Sequence, residues 1–192
     1  MVSKGIGIRG YLGEEIVRIW LEKVKYPGCK VISQIMPTGI PKNGGPYLDF
    51  AVVKDDKLLA VYEVKTQDYP ELSVNKAVNY FWKKQGEAIP CISQNGEEYE
   101  TMAKTKTFLV LLVAPSKVYF KDKKIEPPSE SIIFFDQILK KLDELKINYK
   151  DALINGFKED MNLELDDNWH HLLNHSTKNI QALQDQGKVA RL

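Results

Sequence analysis

The stretch "LDFAVVKDDKLLAVYEVK", residues 48–65, constrains the fold most, because two apolar runs are separated by a short charged turn. The runs 48–53 and 58–65 are rich in Val, Leu and Ala, and their closeness favours an antiparallel β-hairpin. Three charged residues, Asp49, Glu63 and Lys65, lie inside these strands, where a half-buried sheet favours apolar side chains. Their position needs a functional or a structural explanation.

The register of the hairpin decides whether these three side chains meet. Side chains alternate along a strand, so Glu63 and Lys65 point to the same face. A three-residue turn, 55–57, would place Asp49 directly opposite Glu63. A two-residue turn would point Asp49 to the other face, unless a β-bulge restored the register. Both arrangements that unite the three residues stay open at this point.

The rest of the chain predicts an α/β domain over residues 1–147, with a mixed central β-sheet flanked by helices. Apolar residues recur at helical spacing over 10–25 and again from Val74 to Trp82. The remaining elements are strands at 31–36, 107–114 and 131–135, a polar loop at 92–106, and a helix through Leu145. A change of character predicts a C-terminal helical extension over 148–192.

Composition limits the class of protein. The 192 residues are 43% hydrophobic and 28% charged, with a net charge of +1, which is typical of a folded globular protein. The near-neutral balance disfavours a protein that only binds nucleic acid through a strong overall field. The longest apolar run, 108–114, is too short to span a bilayer, so we expect a cytoplasmic protein without a membrane partner.

The chemistry of the charged set favours a cation. Two ionised carboxylates held close together repel each other unless a cation lies between them. Oxygen ligands favour Mg²⁺, with Mn²⁺ as a substitute, over zinc. An adjacent lysine can stabilise charge on a phosphate or help to hold an attacking water, so the set fits phosphodiester hydrolysis. In the structural alternative, Asp49 begins a strand and Glu63 and Lys65 form an exposed charged ladder.

Asp49 followed by Glu63, Val64 and Lys65 resembles the motif of the PD-(D/E)XK nuclease superfamily, and the helix "GYLGEEIVRIWL", 10–21, is similar to the first helix of Holliday-junction resolvases. The resemblance implies a restriction-endonuclease-like fold. It also implies a further carboxylate on this helix, Glu14, with Glu15 as the fallback.

The resemblance implies a magnesium-dependent endonuclease acting on DNA, with a homodimer as one form of assembly. Asp49 and Glu63 are expected to bind the metal, Glu14 to bind a second ion or orient water, Lys65 to position the nucleophile or stabilise the phosphorane, and Gln67 to support the site. Candidate nucleic-acid contacts are Arg9, Lys42, Asn43, Lys76 and Lys83. The alternatives are an RNA nuclease with the same site and a catalytically silent module that binds or assembles.

Overall fold

The computed structural model describes residues 4–40, 47–66, 71–112, 117–119, 127–128, 130–151 and 153. The helices are α1 (Lys4–Trp20), which continues into a π-helical turn (Leu21–Lys25), α2 (Lys76–Lys83) and α3 (Phe135–Glu144). The strands are β1 (Lys30–Pro37), β2 (Leu48–Lys54), β3 (Lys57–Lys65), β4 (Glu71–Ser73), β5 (Pro90–Ser93), β6 (Glu98–Leu111), β7 (Lys117–Tyr119) and β8 (Ile132–Phe134).

The β2–β3 hairpin has a two-residue turn and a β-bulge. Asp55 and Asp56 form the turn, and both have positive φ, 50° and 57°, as a type I′ turn requires. After Val53 pairs with Leu58, Val52 pairs with Ala60, so one extra residue lies on β3. The bulge restores the register that the short turn alone would lose. Phe50 therefore pairs with Tyr62, and the next residues beyond this pair are Asp49 on β2 and Glu63 on β3.

The main sheet closes into a five-stranded β-barrel. Its strand order is β3, β2, β1, β5, β6, and β6 pairs in turn with β3, while β8 adds to β6 from outside the ring. The β3–β6 pairing is parallel and runs from Lys57 with Glu100 to Lys65 with Leu111, and the other pairings within the ring are antiparallel. The protein is mixed α/β, but the predicted restriction-endonuclease-like fold is wrong, because that fold has an open central sheet.

Closure depends on the segment 92–106, which the sequence predicts as a polar loop and which instead contains the end of β5 and the first half of β6. Pro90 to Ile92 pair with β6, and Met36 and Pro37 of β1 pair with the other side of β5. The turn between the strands contains Gly96, which has a φ of 84°. Across this turn, the Ser93 backbone N–H donates a hydrogen bond of 2.9 Å to the Glu97 carbonyl oxygen. The many polar side chains in the segment 92–106 interrupt the alternation of apolar and polar residues from which a strand is predicted.

Two apolar clusters hold the helices against the sheet. One contains α1, α3 and one set of strand side chains, including the largest fully buried aromatic residues, Tyr62 and Phe135. The other contains α2 and the alternate strand side chains, with Phe81 and Trp82 buried in it. Alternation along β3 explains the division, because Tyr62 belongs to the first cluster and Val61 to the second.

The contact between α1 and the end of β3 is very close. A Cβ atom placed on Gly13 would lie 2.2 Å from the Cγ2 atom of Thr66, the residue after β3. With the Thr66 side chain in this position, glycine is the residue that lets the helix approach so closely. Since Glu14 follows Gly13, the same contact places an acidic residue of α1 near the C-terminal end of β3.

The predicted boundary at residue 147 stays a prediction. Tyr149 and Leu153 are buried in the same apolar cluster as α1 and α3, while residue 152 and residues 154–192 lie outside the described part of the chain. No helix in the described ranges is long and apolar enough to cross a membrane.

Candidate active site

Asp49 lies where β2 and β3 separate. The backbone pairing of these strands reaches Phe50 and Tyr62, and beyond it the Val64 N–H donates a hydrogen bond of 2.7 Å to the Asp49 carboxylate. The carboxylate thus satisfies an N–H group that a continuing strand would otherwise bind. Burial raises the pKa of Asp49, while the Val64 N–H, the positive charge of Lys65 and the side chain of Gln34 act in the opposite direction.

Glu63 is nearly fully buried, at 2% exposure, and its charge is compensated by a neighbour on the same strand face. The Lys65 ammonium group forms an ion pair with Glu63 Oε1, and the Lys65 side chain keeps 25% of its surface exposed. The Asn75 amide lies 3.4 Å and 3.5 Å from the two carboxylate oxygens of Glu63. The ladder alternative, with exposed Glu63 and Lys65, does not describe this buried pair.

Asn75 connects the site to the start of α2. Its Oδ1 atom accepts a hydrogen bond of 2.8 Å from the Ala77 N–H, which makes Asn75 the N-cap of the helix. Its amide nitrogen also donates to the Tyr47 carbonyl oxygen at 3.0 Å. One side chain therefore links α2, the segment before β2 and the carboxylate on β3.

The two neighbouring acids of α1 have different surroundings. Glu15 forms an ion pair with Arg18 at 2.6 Å, and two further hydrogen bonds join the same groups. Glu14 is influenced instead by Asp49 and Lys65. Glu14 is thus the acid of α1 whose charge interacts with the β2–β3 site, whereas Glu15 is paired with Arg18.

The site carries an excess of negative charge. Burial, followed by repulsion from Asp49 and Glu15, raises the pKa of Glu14 to about 7. Burial and repulsion from Asp49 also raise the pKa of Glu63 to about 7, although Lys65 and Asn75 oppose the shift. Three carboxyl groups share one lysine, so deprotonation of all three is unfavourable without a further cation.

The donor set fits a hard divalent cation in part. Magnesium commonly binds through one or two carboxylates and completes its shell with water and substrate phosphate, so Asp49 and Glu63 would suffice. Among the residues that the structure describes, however, no three Asp, Glu, His or Cys side chains form a group that could hold a metal. Glu63 Oε1 and Asp49 Oδ2 are engaged by Lys65 and the Val64 N–H, so a metal would have to compete with Lys65 for Glu63.

Other predicted site residues are dispersed or lie outside the described ranges. Lys76 is exposed in the first turn of α2, next to Asn75, and Lys83 is exposed at the other end of that helix. Arg9 is in α1, where only the backbone is described. Gln67, Lys42 and Asn43 lie outside the described residues.

Two residues near the carboxylates were not predicted. Gln34 lies on β1 beside Asp49, and its sequence context, "VISQIM", shows only a polar residue within a strand. Asn75 precedes an apolar helical pattern, and this position is typical of an N-cap, so the helix start could have been found in the sequence. Its contact with Glu63 depends on tertiary packing and has no sequence signal.

Comparison with known proteins adds no relative: no family model, no curated protein and no solved structure matches this chain. The functional argument therefore rests on the side chains of the site.

Proposed function

We propose that this protein is a magnesium-dependent phosphodiesterase that cuts nucleic acid, with DNA as the substrate. The observation that supports the proposal best is the grouping of Glu14, Asp49, Glu63 and Lys65 at one end of the β2–β3 hairpin, where burial and mutual repulsion disfavour ionised carboxylates. Folds host many activities, so the proposal depends on this site and not on the architecture around it.

Each residue has a distinct role in the proposal. Asp49 and Glu63 would hold the ion, and Mg²⁺ would supply positive charge that neutralises a phosphate and activates water. Lys65 would donate hydrogen bonds to the phosphate oxygens as negative charge develops on them. Glu14, which is influenced electrostatically by Asp49, would orient the attacking water. Asn75 holds the Glu63 carboxylate against rotation.

The test is cleavage by the purified protein with 10 mM MgCl₂, chosen to be on the order of ten times a millimolar Kd, a ratio that nearly saturates one site. The substrates are supercoiled plasmid, single-stranded DNA, branched DNA and RNA. We expect DNA cleavage that EDTA abolishes. Lys65→Ala should reduce the rate about 100-fold or more, as expected when a group that stabilises transition-state charge is removed.

Lys57→Ala is the matched control for Lys65→Ala. Lys57 begins the same strand, is exposed and pairs with Glu100 at 3.3 Å, far along β3 from the carboxylates. We expect this variant to cut at the wild-type rate. The proposal fails if folded wild-type protein cuts none of the substrates, or if both lysine variants cut equally fast.

A second candidate is a catalytically silent module that binds nucleic acid. The ion pair between Lys65 and Glu63 favours it, because the lysine compensates the buried charge without a metal. Retention of DNA in a gel-shift assay, without cleavage and without dependence on Mg²⁺, would support this function. Cleavage of RNA alone in the same substrate panel would assign the site to an RNA nuclease.

A further inference from the structure

Gln34 has an unusual backbone conformation next to the site. It lies within β1 with φ of 57°, in the left-handed region that residues other than glycine rarely adopt, and Gln is not among the residue types enriched there. The β1–β2 pairing is defined on both sides of Gln34, since Ser33 pairs with Phe50 and Ile35 pairs with Leu48. Gln34 is therefore level with Asp49 on the neighbouring strand.

The strained residue changes how β1 packs. Ile32 and Ile35 are three residues apart, yet both belong to the apolar cluster of α2. In a regular strand, residues three apart point to opposite faces, so the backbone turns over between them, at Ser33 and Gln34. The result is that Gln34 is half-buried on the strand next to Asp49 and level with it, and hydrogen bonding by its side chain lowers the pKa of the Asp49 carboxyl.

Closure of the barrel holds this conformation. The backbone N–H of Gln94, in the turn between β5 and β6, donates a hydrogen bond of 2.9 Å to the Gln34 carbonyl oxygen. Ile35 and Met36, directly after Gln34, pair with Ser93 and Ile92 of β5. A strained backbone persists where the surrounding structure fixes it, and such residues concentrate at functional sites.

We propose that Gln34 is a positioning residue for Asp49: the β5–β6 turn fixes Gln34 in the left-handed conformation, and its side-chain amide then orients the Asp49 carboxylate for a divalent cation. This inference rests on the proposed function and deepens it. It gives the closing strands of the barrel a part in the site, although they contribute none of its carboxylates.

The test compares two glycine substitutions. Gln34→Gly removes the amide and relieves the left-handed strain, so the variant should fold with an equal or higher Tm. Lys146→Gly is the matched control, because Lys146 also has positive φ, 54°, and follows α3. Binding of Mn²⁺, as the probe for the divalent cation, is measured by titration calorimetry on the three full-length proteins, with Tm from circular dichroism.

We expect Gln34→Gly to weaken Mn²⁺ binding about tenfold, as is typical when a group that orients a metal ligand is lost. Lys146→Gly should bind as wild type does. Gln34→Asn, which keeps an amide and tolerates positive φ, should recover part of the affinity.

Three outcomes separate the proposals. Wild-type affinity in Gln34→Gly overturns the role of Gln34 and leaves the proposed function standing. Equal weakening in both glycine variants also overturns it, because the effect would then not depend on the amide. No Mn²⁺ binding by the wild type overturns the metal-dependent function and this inference together.

Discussion

Gly13→Ala tests the close contact that places Glu14 at the site. The new Cβ atom would lie 2.2 Å from Thr66 Cγ2, whereas unstrained carbon atoms stay about 3.5 to 4.0 Å apart. Either α1 must move away from the end of β3 or Thr66 must rotate, and overpacking of this kind costs about 1 to 3 kcal/mol. The alanine also favours the helix by about 1 kcal/mol, which offsets part of the cost.

Gly10→Ala isolates the cost of the clash. Gly10 is in the same helix, and a Cβ atom there has only an ordinary contact of 3.9 Å, with Glu14 Oε1. Both variants gain the same helix propensity, so Gly13→Ala should be less stable than Gly10→Ala by the strain alone, about 1 to 3 kcal/mol in urea unfolding.

Thr66→Ser provides the rescue, because it removes Cγ2 and keeps the hydroxyl group. In the Gly13→Ala background it should recover most of the lost stability, which a double-mutant cycle measures as a coupling between the two positions. Displacement of α1 also moves Glu14 away from Asp49, so we expect Gly13→Ala to lower the proposed magnesium-dependent cleavage. Equal stability of the Gly10 and Gly13 variants, or no coupling with Thr66, would refute this account of the contact.

Two further predictions concern Glu63 and Asn75. The pKa of Glu63 is higher in the folded protein, about 7, than its ordinary value of 4.5, so folding takes up a proton between these values and stability falls as the pH rises through them. As the pH rises from 5 to 8, the free energy of unfolding of Glu63→Gln should therefore increase relative to that of wild type by on the order of 2 to 3 kcal/mol, measured by urea unfolding. Parallel pH profiles for the two proteins would contradict this prediction. Asn75→Ala should lose about 1 kcal/mol through the missing N-cap, whereas Asn75→Ser, which can still cap α2, should lose less. Equal losses in the two variants would show that the cap is not the cause.

Hydrophobic alternation was sufficient to predict the β2–β3 hairpin and the strands and helices with clear apolar faces. It also indicated that Asp49, Glu63 and Lys65 could share one site. The length of the turn alone did not decide this, because a two-residue turn brings the three residues together only if a β-bulge shifts the register, as it does opposite Val52 and Val53. A bulge depends on local packing and leaves no periodic signal in one sequence.

Closure of the sheet was missed for a different reason. The first half of β6 carries exposed polar side chains, such as Glu98 and Glu100, and β5 before it has only four residues, so this part of the sequence resembles a loop. The dipeptide Asn95 and Gly96 was a usable hairpin signal between them. Pairing of β5 with β1 is a long-range contact that local sequence does not specify, and the strain at Gln34 depends on that pairing.

The central claim, that the buried carboxylates form a divalent cation site, is tested most directly by the effect of MgCl₂ on the Tm at pH 8. At ten times its Kd, a bound ion stabilises the folded state by about 1.4 kcal/mol, which raises the Tm of a chain of this size by about 3 to 6 °C. We expect this rise in wild type and in Asp55→Asn, a control in the exposed β2–β3 turn, at ionic strength matched with NaCl. Asp49→Asn should show no rise, and an equal rise in Asp49→Asn, or none in wild type, would contradict the claim.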